Sequence, residues 1–101
     1  MQLADIDRLT AALPGVRRTT KQGLAEWRFH GRLVARQLDE AQVVVRAAFD
    51  YREQLLRRSP STFSVPKQFE KHMMVVADLS GEDAAIEDAI EAAWDLQRAA
   101  E

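Results

Sequence analysis

The chain has 101 residues, of which 47% are hydrophobic and 30% charged, with a formal net charge of −2. That length holds one core and excludes a second, and the mixture is that of a globular domain, not of a disordered or fibrous chain. The absence of cysteine excludes disulfides, thiolate zinc centres and thiol nucleophiles together, a usage that fits a reducing compartment.

Met1 is followed by QLADIDR, which has neither the basic start nor the apolar centre of a secretory leader. No apolar run approaches about 18 residues, so a cytoplasmic protein that does not span a membrane is the expectation. Leu3, Ile6, Leu9 and Leu13 recur at spacings of three and four, one stripe of an amphipathic helix, which Pro14 and Gly15 end. VRRTTKQG, residues 16–23, is a weaker candidate for an edge strand. From Leu24 the period becomes two, with Ala25, Trp27 and Phe29 alternating against Glu26, Arg28 and His30. His30 and Gly31 turn the chain into RLVARQL, and Asp39 and Glu40 turn it into AQVVVRA, where Val43 and Val45 share a face. A three-stranded antiparallel meander is expected.

A short helix is predicted from Tyr51 to Arg58, with Asp50 and Glu53 as its capping box, Leu55 and Leu56 facing inward, and Ser59 and Pro60 ending it. TFSV runs into Pro66, which suits an edge strand. MMVVADL is almost continuously apolar and belongs in the core. Ser80, three residues before Asp83, reads as the start of a last helix whose inner face carries Ile86, Ala89, Ile90, Ala93, Trp94 and Gln97, while Glu87, Glu91 and Asp95 form an exposed acidic row. Because parallel βαβ alternation is missing, the expected class is α+β. It is one domain over residues 1–101, with N- and C-terminal helices on one face of an antiparallel sheet and a short helix between strands.

Charge divides along the chain. Residues 1–72 hold 13 Lys and Arg against 8 Asp and Glu, whereas residues 73–101 hold 1 against 8, giving +5 and −7. Such a division suits a molecule with one anion-binding side, or simply solvated faces of mixed charge.

LPGV at Leu13 to Val16, FHGRLVAR at Phe29 to Arg36, VVVR at Val43 to Arg46, YREQLL at Tyr51 to Leu56, TFSVPKQFEKHMMVVADL and the closing AAWDL occur in an order that resembles the bacterial MmcQ/YjbR family, over nearly the whole chain. The resemblance implies a small α+β fold similar to that of the bacterial frataxin homologue, and DNA binding. The family's hairpin of the type F-x-V-x-G-K falls on Phe29 to Arg32. Its P-x-x-x-x-K-x-W pattern falls on Pro66 to Met73, retaining Lys71 and His72 but placing Met73 or Met74 where many members carry Trp. PKQFEKHMM then offers only Phe69 as a stacking surface.

Nucleic-acid binding would therefore rest on cations. The candidates are Arg17, Arg18 and Lys21 before the meander, Arg28 and Arg32 around the His30 turn, and Lys67, Lys71 and His72 around Phe69. Two basic hairpin surfaces would contact the phosphates of double-stranded DNA, without catalysis and without a cofactor. A sequence pI near 5.7 opposes this unless the acidic last helix lies on the other side of the molecule. The alternatives are a protein–protein interaction module and a frataxin-like acidic metal-binding surface along Glu87, Glu91 and Asp95, with Asp88 beside them. No enzyme is expected: His30 and His72 belong to no ligand spacing, and there is no G-x-S-x-G or glycine-rich phosphate loop. Trp27 and Trp94 read as core, and Met73 and Met74 as packing residues.

Overall fold

A computed structural model describes residues 1–100 of the chain. Its elements in order are helix α1 (Leu3–Ala11), strands β1 (Val16–Lys21), β2 (Leu24–Phe29), β3 (Arg32–Gln37) and β4 (Gln42–Arg46), helix α2 (Phe49–Arg58), strand β5 (Phe63–Ser64), a 3-10 turn at Lys67–Phe69, strand β6 (Met74–Asp78) and helix α3 (Asp83–Ala99). The six strands form one sheet in the order β1-β2-β3-β4-β6-β5, with every neighbouring pair antiparallel. The architecture is α+β, as expected.

The segment with the weaker strand signal is a full strand. β1 pairs with the whole of β2, from Val16 opposite Phe29 to Lys21 opposite Leu24, so the meander has four strands and not three. Both of its first hairpins close through two residues with positive φ, Gln22 with Gly23 and His30 with Gly31. This is the turn whose twist matches that of the flanking strands, and glycine takes its second position without steric cost. A register shift between Trp27 and Arg28 breaks the alternation of β3, so Val34 and Ala35 are both buried although they are adjacent.

One face of the sheet carries the main core. Ile6 of α1, Leu55 of α2 and Ile86, Ala89, Ile90 and Ala93 of α3 pack there on Trp27, Val43, Val45, Val75 and Ala77. The spacings of three and four in α1 and α3 bring these side chains to one stripe, and the odd-numbered phase of β4 and β6 meets it. Trp27 is buried but its indole N–H donates to Asp7 Oδ1 at 2.9 Å, which satisfies the one polar atom it brings inside. Trp94 is half-buried against the same core, its N–H donating to the Pro14 carbonyl at 3.0 Å.

Two helix starts differ from the sequence expectation. α2 begins at Phe49 after Ala48, and Asp50 accepts from the adjacent Tyr51 N–H at 2.8 Å instead of capping. α3 begins after Glu82, whose own N–H is taken by the Thr62 hydroxyl at 3.0 Å, while the Ser80 hydroxyl turns back to Asp78 at 2.7 Å. At α2 the carboxylate takes the amide next to it, and at α3 the Ser80 hydroxyl is engaged by Asp78, so neither side chain caps as the sequence pattern suggests.

Candidate functional site

The second face of the sheet is built differently along its length. On β4 and β6 the even-numbered phase brings Val44 and Val76 to this face, where Phe69 covers them in a small second cluster joined by Leu38, Val65 and Met74. The connection between β5 and β6 thus folds back over its own strands. On β1, β2 and β3 no element lies over the sheet, and register decides what it presents. Arg17 stands opposite Arg28, Thr19 opposite Glu26, Lys21 opposite Leu24, and Glu26 opposite Arg36. A shallow groove of about 360 Å³ runs here, lined in part by Lys21, Leu24, Glu26, Arg28, Arg36 and Met74.

The predicted site residues divide between the two faces. Arg17, Lys21 and Arg28 lie on the uncovered face, and Lys67, Lys71 and His72 lie exposed on the Phe69 segment beside it. Arg18 does not join them. It alternates to the helix side, opposite Trp27, and pairs with Asp7 at 2.9 Å. Arg32 is also on that side, opposite Phe29, with Nη1 3.5 Å from the Gln97 carbonyl of α3. The β2–β3 hairpin is accordingly no free prong: His30 stacks on Phe29 with ring centroids 4.0 Å apart.

Three cations of this region were not among the sequence candidates. Arg36 lies in the groove with its guanidinium carbon 5.7 Å from the Phe69 ring centroid. Arg46, opposite Met74, falls on the same face. Strand alternation places both. Arg52 is only 8% exposed and has no carboxylate partner; its Nη1 donates to the carbonyls of Phe69, His72 and Met74 at 3.3, 2.8 and 3.4 Å, and its Nη2 to that of Glu70 at 3.2 Å. Its acceptors come 17 to 22 residues later in the chain, so nothing local to α2 signals them. Arg52 thereby ties the Lys67 to His72 segment down from beneath.

Ion pairing follows the same division. On the helix side Arg8 pairs with Asp5, Arg18 with Asp7 and Arg98 with Asp95. On the other side Arg28 pairs with Glu26 at 3.1 Å, and among the described residues Arg17, Lys21, Arg36, Arg46, Lys67 and Lys71 make no ion pair. Glu26 is the one carboxylate on β1, β2 and β3. The acidic row of α3 (Glu87, Glu91 and Asp95) is exposed on the outer surface of the helix, across the core from this face.

Phe69 is buried and presents no face for stacking, whereas Phe49 is 45% exposed with its ring centroid 4.9 Å from the Arg52 guanidinium carbon. No family model, no curated protein and no solved structure matches this chain. Among the described residues no group of three or more His, Cys, Asp or Glu side chains is placed to hold a metal ion, and no helix is long and apolar enough to cross a membrane. Carboxyls held below their ordinary range lie at Asp5, through the Gln2 N–H and then Arg8, and at Asp78, through the hydroxyl and N–H of Ser80. Burial, followed by the charge of Asp88, raises the Tyr51 phenol.

Proposed function

We propose that this chain is a non-catalytic DNA-binding domain whose contact surface is the uncovered half of the sheet together with the Lys67 to His72 segment. The single observation that carries the reading is the segregation of unpaired cations on one face, with the acidic helix α3 behind the opposite one. A net charge of −2 then describes the whole molecule and not the surface that meets the ligand. The order of motifs that resembles the MmcQ/YjbR family supports the same assignment, as does the retention of Lys71 and His72. Duplex is favoured over single strands because β1, β2 and β3 put cations and no aromatic on that face, so affinity on this reading comes from phosphates.

Titration of labelled duplex tests it. With five or so phosphate contacts, affinity should fall roughly 10²- to 10³-fold between about 50 and 200 mM salt. No binding at about 50 mM salt sinks the proposal.

A second reading, a protein-interaction module, is favoured by two separate features: Phe49, 45% exposed against the Arg52 guanidinium, and the apolar groove between α2 and α3 that Ala47, Tyr51, Ala92 and Leu96 line. Retention of one protein partner that Phe49→Ala releases, with no duplex binding, would favour that reading.

A further inference from the structure

The buried Arg52 does more than hold a turn. All peptide bonds described are trans, and in a trans peptide the N–H points opposite to the C=O of the same unit. The carbonyls of Glu70 and His72 point at Arg52. The N–H groups of Lys71 and Met73 therefore point away from it, toward the side on which residues 70–73 are exposed. Among the described residues neither of these two N–H groups has a hydrogen-bond acceptor. Those of Glu70, His72 and Met74 are taken by the carbonyls of Lys67, Phe69 and His72 at 3.2, 3.0 and 2.8 Å.

The charge beneath them adds to this. Arg52 is buried with no carboxylate to neutralise it, so its field draws electron density onto the two carbonyl oxygens and leaves the outward N–H groups more positive. The ammonium of Lys71 is exposed on the same turn. Two amide donors two residues apart and a cation on the same turn match a ligand with several acceptor oxygens on one small centre. A planar carboxylate offers two such oxygens and a phosphate offers more.

We propose that the Glu70 to Met73 turn is a phosphate-binding site formed by the N–H groups of Lys71 and Met73 and the Lys71 ammonium, polarised from below by Arg52. Taking the phosphate from a DNA backbone rests on the DNA-binding reading above; the site itself does not. Glu70 is the opposing charge in the turn, and its neutralisation should tighten binding.

The test is an amide NMR titration of the full chain, first with inorganic phosphate and then with a short duplex. Saturable shifts at the Lys71 and Met73 amides in the millimolar range with inorganic phosphate, larger than those at the exposed Arg57 and Arg58, support the site. Glu70→Gln should strengthen the response about twofold, and Arg52→Met should weaken it about tenfold. If Arg52→Met fails to fold, the wild-type and Glu70→Gln titrations still decide. Shifts absent at these two amides, or equal at every exposed basic residue, overturn the site. Duplex binding that leaves both amides unmoved also overturns it while sustaining the DNA reading; a phosphate response without duplex binding does the reverse.

Discussion

The two faces of this sheet are made from the same strands, yet they treat charge in opposite ways. Facing the helices, alternate residues are Trp27, Val43, Val45 and Val75, and the cations at that rim are matched by acids on the same side, as in the Arg18 to Asp7 pair. On the other face Arg17, Lys21, Arg36 and Arg46 make no ion pair among the described residues, and the acids on that side are Glu26, Asp78 and the Glu70 of the covering segment. A matched cation on a surface contributes little to stability and nothing to ligand capture. An unmatched row costs some self-repulsion and leaves a field that a polyanion can neutralise. Stability and binding are thus assigned to different faces of one element, and substitutions should separate them.

The largest expected effect is on the helix side. Trp27→Ala should destabilise the fold by about 3–5 kcal/mol, read by chemical denaturation, while the remaining folded protein keeps its salt-dependent duplex affinity. Equal loss of affinity in the folded fraction would break the comparison. Phe69→Ala sits on the boundary. It should cost about 3 kcal/mol, the low end for an aromatic because its cluster is small, and it should also weaken duplex binding by loosening the segment that carries Lys67 and Lys71. A variant of Arg17, Lys21 and Arg36 to alanine should change stability by only about 0.5 kcal/mol per site. Its duplex affinity should fall, and the slope of log affinity against log salt should shrink by about two to three. Arg8→Ala and Arg98→Ala, on the other side, should leave that slope unchanged.

The smallest effect is in acid and concerns both faces alike. The folded pKa values of Asp5 and Asp78 lie below the ordinary 3.8, so each carboxylate stabilises the fold fully above about that pH, and the contribution is lost as pH falls through the depressed folded value. Thermal melts taken from neutral pH downward should show this decline, and the variant carrying Asp5→Asn and Asp78→Asn should show a flatter one. An identical profile in the variant would remove these two groups from the account.

Much of this division was legible in the sequence, because a period of two in β2 and β4 names two faces before either is seen. β1 was the weak point, since all but its first residue are exposed and no apolar phase marks it. Proximity along the chain puts Arg18 and Arg32 with the other cations, whereas strand parity sends them to the helix side. Arg36 and Arg46 could have been placed by the same parity. Arg52 could not, for an arginine on a short amphipathic helix reads as solvated until its distant carbonyl partners are known. The start of α3 differs from its sequence signal for a related reason: the hydroxyl that meets the amide of Glu82, just before the helix, comes from Thr62, twenty residues away.

The separation of the acidic helix from the basic face makes the molecule a strong electric dipole. Its behaviour on charged supports should contradict its isoelectric point. At neutral pH, with a net charge of −2, it should be retained by an anion exchanger through α3 and by a phosphate-bearing cation exchanger through the sheet, each time in a different orientation.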